Sequence, residues 1–504
     1  MFPSTTDIKI INNLNMSGVY LKKVDMDLLL FLYEQKMLST EQLYRFHVLI
    51  QPIDRKRISR KLTKFEKNGL VVKNSHVLYK RAGLKLNMFR LGLAGLRLLS
   101  RFGLIEEGQT TPRLHRNIDH YIGIKHVLLD VIEIEKDRVG TILAEGGKFK
   151  FWFQEEESQA FFDTNLKVKL YPKLKKEESQ SDLQSISDYK NKIKERIPAF
   201  SKKDILISIA PPNFPLYRKD ENGYHLLPDW TLLMNKHVFH VEVDASTERI
   251  SSSSIDGVTS IESKFFRYIF IAKMEPNKIH NVLFVSLDDS TSLRKNYGTK
   301  DIRIGNLKRE IARLKEVFQP NLNVFFLRLE RVKELWPFLI EKATGAYDEE
   351  KLSKIVEVSL DLNRNHFPFD VRFINTQSEL EKIILNPRGF NYPVEQLYIL
   401  KKRMDIESLN LPSKQLLIPI FMLEGDMYGH ELITYYSQRI AAGSLPVNTK
   451  VLAVYYSKKS MLEDVLRQDT VFQHVLLVNI EEIQWFREPA KIYSSKGKKL
   501  LTFE

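Results

Sequence analysis

The residues best placed to do chemistry are acids on two neighbouring β-rich runs. Tyr224-His225-Leu226-Leu227-Pro228-Asp229-Trp230-Thr231-Leu232-Leu233-Met234 leads through Asn235-Lys236 into His237-Val238-Phe239-His240-Val241-Glu242-Val243-Asp244. A short polar turn between two such runs predicts a hairpin. Asp229 on one strand and Glu242 on the next bring carboxylates, the ligand type that hard divalent ions take, onto neighbouring strands. Asp244 is a third acid, two residues after Glu242. Lys264, farther along, offers a positive charge, and Glu248 offers another ligand. The same acids also suit a structural use, in capping or in ion pairs with Arg249 and Arg267.

The elements that must hold these acids follow directly. A helix is expected over Ser260–Ile269 and a buried strand over Asn281-Val282-Leu283-Phe284-Val285-Ser286-Leu287. A proline before Asp229 and an acid on the second strand resemble nucleases of the restriction-endonuclease-like fold. The resemblance implies that Asp229 and Glu242 hold a divalent ion, Mg²⁺ or Mn²⁺, that activates water against a phosphodiester. That motif ends Asp/Glu-x-Lys, whereas here it ends in Asp244.

Other chemistries are disfavoured. The chain has no cysteine, so disulfides, thiolate zinc sites and cysteine nucleophiles are excluded. His115, His120 and His126 are five and six residues apart and do not share a helical face, which favours packing or hydrogen bonding over a metal. His237 and His240 are separated by two residues and do not form the His-apolar-His pair of a histidine-metal relaxase. Neither Gly147-Lys148 nor Gly497-Lys498 has the preceding glycine of a phosphate-cradling loop.

Charge identifies a second candidate region. The formal net charge is +14, and the segment from Asp54 to Arg101 carries fourteen Lys/Arg against two acids. A surface for a polyanion is therefore expected there. Val24-Asp25-Met26-Asp27-Leu28-Leu29-Leu30-Phe31-Leu32-Tyr33 has helical apolar spacing, and Ser39-Thr40-Glu41-Gln42 offers a capped start to a second helix. A third helix from about Asp54 to Asn68 buries Ile58, Leu62 and Phe65 and projects Arg57, Arg60, Lys61 and Lys64 outward. Asn68-Gly69 ends it. Leu70-Val71-Val72-Lys73 and Val77-Leu78-Tyr79-Lys80 then read as a hairpin, followed by an amphipathic helix over Leu91–Leu99. Three helices and a hairpin spell a winged helix-turn-helix, with Arg55, Lys56, Arg57, Arg60, Lys61, Lys64, Lys73, Lys80 and Arg81 facing double-stranded DNA.

At 504 residues, 43% apolar and 28% charged, the chain is expected to fold as about three globular units. The expected order is a winged helix-turn-helix domain (1–110), a restriction-endonuclease-like α/β domain (111–340) with a charged insertion near 154–198, and a second α/β domain (341–504). The last is expected to be a degenerate repeat of the one before. Asn281–Leu293 is echoed by Lys450–Leu462, Asn323–Val332 by His474–Ile483, and Val241-Glu242-Val243-Asp244 by Leu423-Glu424-Gly425-Asp426, in that order. No apolar run reaches the roughly 18–20 residues of a membrane span, and Met1–Asp7 lacks signal-peptide character, so a cytoplasmic protein without membrane insertion is expected.

Taken together, the basic third helix, the Leu91-Gly92-Leu93-Ala94-Gly95-Leu96-Arg97-Leu98-Leu99 segment, the His120-containing helix and the Pro228-Asp229, Glu242-Val243-Asp244, Lys264, Tyr268 block resemble the replication-relaxation family. The likeness spans roughly residues 24–290. It implies a sequence-specific DNA-binding protein of a plasmid, conjugative element or phage, acting in replication initiation, transfer or transcriptional control. In that setting the α/β half would assemble with itself or a partner. The alternative is a metal-dependent nuclease or nicking enzyme using Asp229 and Glu242, with Asp244 and Lys264 assisting.

Overall fold

The computed structural model describes residues 8–11, 18–77, 85–102, 104–105, 107–108, 110, 118–144, 228–234, 237–245, 260–287, 300–344, 349–362, 369–384, 387, 391–402, 414–464, 474–483, 492–494 and 499–500. Lys80, Arg81, His115, Glu248, Arg249, both Gly-Lys pairs and the 154–198 segment lie outside the described residues. The chain divides into two compact units. The first comprises Met1–Arg249, Phe266–Lys300 and Arg328–Trp336, and the second Ile250–Phe265, Asp301–Leu327 and Pro337–Glu504.

The first unit opens with an antiparallel pair, β1 (Ile8–Ile11) and β2 (Gly18–Leu21). Then come α1 (Lys23–Gln35), the short β3 (Leu38–Ser39), α2 (Thr40–Ile50) and α3 (Arg55–Lys67). Ser39 and Gln42 cap α2 reciprocally: Gln42 N–H donates to the Ser39 hydroxyl at 3.2 Å and Ser39 N–H to Gln42 Oε1 at 2.9 Å. Phe31 of α1 stacks on Phe46 of α2 with ring centroids 3.8 Å apart. Ile58, Leu62 and Phe65 form the buried stripe of α3, as their spacing requires.

The hairpin differs from expectation. β4 (Val71–Val77) runs on through Val77, and its antiparallel partner is β5 (Lys85–Leu91), not Val77–Lys80. β5 also pairs with β3, giving the sheet order β3-β5-β4. Leu91 therefore ends a strand, and α4 (Leu93–Arg101) starts only after Gly92. The junction needs that glycine: a Cβ on Gly92 would lie 2.2 Å from the carbonyl oxygen of Gly69.

α5 (Ile118–Ala144) is bound to α2 by Arg45, which donates to Asp130 at 2.6 Å and Glu133 at 2.7 Å, and by Gln42 Nε2, which donates to the Ile122 carbonyl at 3.0 Å. The expected hairpin is present as β6 (Trp230–Met234) antiparallel to β7 (His237–Asp244), with Trp230 opposite Val241. α6 (Ile261–Met274) crosses over to β8 (Ile279–Ser286), which lies parallel to β7. α5 packs closely where Gly123 faces the sheet, since a Cβ there would meet Leu287 Cδ2 at 2.2 Å.

After β8 the chain forms α7 (Lys300–Arg313), β9 (Leu322–Arg328), α8 (Val332–Thr344) and α9 (Glu349–Leu362), and the second unit then contains a seven-stranded sheet. Its strands are β10 (Phe369–Ile374), β11 (Leu397–Lys402), β12 (Lys414–Met422), β13 (Thr449–Tyr455), β14 (Val475–Asn479), β15 (Ile492–Ser494) and β16 (Lys499–Leu500), in that spatial order. Alternate residues of β12 feed separate cores. Leu416, Ile418, Ile420 and Met422 enter one, and Leu417 and Phe421 the other. β12, β13 and β14 are parallel, and the helix at Met427–Ala441 links the first two. An antiparallel hairpin followed by a parallel crossover thus occurs in both units, although Glu424 and Asp426 lie beyond β12 whereas Glu242 and Asp244 lie within β7. A buried ion pair, Lys308 to Asp464 at 2.8 Å, is completed by hydrogen bonds to Asp464 from the Tyr455 hydroxyl and Gly425 N–H.

Candidate functional site

Asp229 begins the hairpin, with its N–H donating to the Val241 carbonyl at 3.0 Å. Its Oδ2 accepts the Val243 N–H at 2.7 Å, so this carboxylate ties the start of β6 to β7. α5 brings His120 Nε2 to 3.2 Å from the same oxygen. Glu242 and Asp244, two residues apart on β7, are both buried. Tyr268 of α6 donates its hydroxyl to Glu242 Oε1 at 2.6 Å. Burial, with Glu242 adding, holds that phenol well above its usual range, so it remains a donor.

α5 contributes a residue that the sequence reading missed. Lys125 is 1% exposed, and its Nζ lies 5.1 Å from the ring centroid of Tyr121. Burial pulls its pKa down to about 7, against the attraction of Asp229 and with the help of Lys36. Tyr121 is pushed upward by burial and then by Asp229. The available signal was helical spacing, which puts Lys125 in one stripe with Tyr121, Leu128 and Ile132, facing the core. Lys264, the expected source of positive charge, lies on α6 one turn before Tyr268.

A second pair was also missed. His240 of β7 and His280 of β8 are buried and stacked, with His240 Nε2 3.1 Å from His280 Nδ1. Glu275 lies 3.7 Å from His280 Nε2. Burial holds both imidazoles low, His280 at about 4 and His240 well below its usual value.

Among the described residues, no group of three or more His, Asp or Glu side chains is arranged to hold a metal ion. Asp229 and Glu242 instead accept hydrogen bonds from the protein's own donors, and the arrangement as it stands links β6, β7, α5 and α6.

The basic helix offers a different surface. The Asp54 carboxylate accepts the Lys56 N–H at 2.6 Å and caps α3. Lys56, Arg57, Arg60 and Lys64 are exposed and make no ion pair among the described residues. Arg55 is also exposed, donates to Glu41 at 2.5 Å and stands over the Tyr44 ring. Lys73 is exposed on β4. Lys61 departs from expectation: it is half-buried and ion-paired with Asp25, whose carboxylate also accepts the Lys22 N–H at 2.9 Å at the start of α1.

Fold and sites together define a multidomain α/β protein that carries a basic helical module and a buried acidic cluster. The profile of the replication-relaxation family matches residues 29–285, about half of the chain, and the protein belongs to that family. The match runs from α1 to the end of β8 and so includes both sites. No curated protein and no solved structure matches the chain. Membership supports a role in replication connected with mobile elements. Among the described residues, no helix is long and apolar enough to cross a membrane.

Proposed function

We propose that the protein binds double-stranded DNA through a winged helix formed by α1, α2, α3 and the β3-β5-β4 sheet, with α3 entering the major groove. In this reading it is a sequence-specific factor of a plasmid, conjugative element or phage that acts in replication initiation, transfer or gene control. The observation that carries the proposal is the two-sidedness of α3. Ile58, Leu62 and Phe65 fix its inner face, while Lys56, Arg57, Arg60 and Lys64 stand in solvent without ion partners among the described residues. Unneutralised cations on a rigid helix are what phosphate contact and base-edge recognition require. Lys61 is committed to Asp25 and serves to position the helix.

The order α5, β6-β7 hairpin, α6, β8 supports reading the following segment as a restriction-endonuclease-like core in which Asp229 and Glu242 hold the fold together. Fluorescence anisotropy with labelled duplexes tests the DNA reading. The combined variant Arg57→Glu, Arg60→Glu, Lys64→Glu should bind duplex DNA at least about tenfold more weakly while keeping its circular dichroism spectrum. Unchanged affinity would place the DNA site elsewhere.

A further inference from the structure

One ammonium gathers the three helices of the basic module. Lys61 of α3 is ion-paired with Asp25 of α1, and its Nζ lies 3.4 Å from Nε2 of His47 in the last turn of α2. Asp25 and His47 are each 2% exposed. The other carboxylate oxygen of Asp25 accepts the Lys22 N–H at 2.9 Å. His47 Nδ1 lies 2.9 Å from the Gln51 carbonyl. A carbonyl can only accept, so Nδ1 carries the proton and Nε2 presents its lone pair to Lys61. Burial and the Lys61 charge hold this imidazole below its usual range, against the Gln51 carbonyl and Asp25.

The apolar stripe of Ile58, Leu62 and Phe65 holds α3 against the core but tolerates small rotations, whereas hydrogen bonds are directional. Arg57 and Lys64 stand four residues before and three after Lys61, and so share its flank of the helix. The direction in which Lys61 is held therefore sets the direction of the exposed cations. Protonating His47 would turn its acceptor into a donor facing an ammonium, and Asp25, already shared between Lys61 and the Lys22 N–H, is the acid between them. We propose that Asp25 and His47 are positioning residues for DNA recognition, which hold α3 through Lys61 in the orientation that reads sequence and release it when His47 takes up a proton. This rests on α3 being the DNA-binding helix.

Fluorescence anisotropy of the full chain separates positioning from charge, using a duplex enriched from a random pool by the wild-type protein and the random pool itself. Asp25→Asn frees the Lys61 cation, so affinity for the random pool should stay level or rise. The ratio of enriched to random affinity should fall at least about tenfold. Between pH 7.5 and 5.5 the wild-type ratio should fall at least about threefold, although acid ordinarily favours polyanion binding. His47→Gln, which keeps an acceptor that does not titrate, should remove that fall. Circular dichroism checks folding, and the pH profile decides alone if Asp25→Asn is unfolded. An unchanged ratio in Asp25→Asn, or a pH profile that is flat in wild type or the same in His47→Gln, would overturn the proposal. The Arg57→Glu, Arg60→Glu, Lys64→Glu variant then tells the two claims apart. If it loses binding, α3 still contacts DNA and only the positioning fails; if it binds normally, or if no duplex is enriched from the pool, both fail.

Discussion

Tyr268 of α6 and Glu242 of β7 are joined by a buried 2.6 Å hydrogen bond from phenol to carboxylate, which links the crossover helix to the strand beneath it. Removing the hydroxyl leaves a buried acid short of one donor. Tyr268→Phe should therefore destabilise the protein by about 1–3 kcal/mol, measured by urea denaturation. An unchanged midpoint would show that this bond is dispensable.

The same geometry bears on cleavage. With Asp229 held by Val243 N–H and His120, and Glu242 by Tyr268, supercoiled DNA incubated with protein and Mg²⁺ or Mn²⁺ should remain intact. Nicks that appear with the wild-type protein and vanish in Asp229→Ala and Glu242→Ala would establish the nuclease alternative instead.

Lys125 should lower stability. Its folded-state pKa of about 7 lies below the ordinary value of 10.5, so the unfolded chain binds the extra proton between those limits. The penalty is fullest below pH 7 and fades as pH rises toward 10.5. Lys125→Met should stabilise the protein by roughly 1–3 kcal/mol near neutrality, and by less at pH 9–10. A melting temperature that falls on substitution would mean that Lys125 contributes a stabilising interaction.

The stacked histidines predict acid sensitivity. His280 titrates at about 4 when folded against 6.5 in the reference state, and His240 is lowered in the same direction. The unfolded state therefore takes up protons first as pH falls below 6.5. Stability should drop toward pH 4 by up to ~1.4 kcal/mol per pH unit for each histidine. Glu275, Lys278 and Tyr268 border the pair, and charge on the first two will modulate the slope. Urea denaturation of His280→Gln at several pH values should show a shallower acid limb. A slope equal to wild type would assign the acid sensitivity to other groups.

These features were legible to different degrees in the sequence. α3 was readable to its cap because Asp54, the Ile58-Leu62-Phe65 spacing and Asn68-Gly69 all specify local structure. β5 was missed because Leu86 and Met88 alternate on one face and Phe89 and Leu91 on the other, and Leu91 runs directly into the periodic residues of α4. The pairing with β4 and the close approach of Gly92 to Gly69 decide that boundary. The Asp229–Glu242 hairpin was visible from its own residues, but what occupies its carboxylates was not. His120 arrives from a helix 109 residues away, and Tyr268 from a crossover. Helical spacing could have put Lys125 on the buried stripe of α5, but its lowered pKa and the His240–His280 pair come from tertiary burial, which local periodicity does not report.

If the exposed cations of α3 contact DNA phosphates, binding must weaken steeply with salt. Duplex affinity measured between 50 and 200 mM KCl for wild type and for Arg57→Glu/Arg60→Glu/Lys64→Glu gives the number of phosphates neutralised, at about 0.9 logarithmic units of slope per contact. The prediction is a steep wild-type slope that flattens by roughly 2–3 in the variant. A variant with lower affinity but the wild-type slope, or with neither changed, would contradict it.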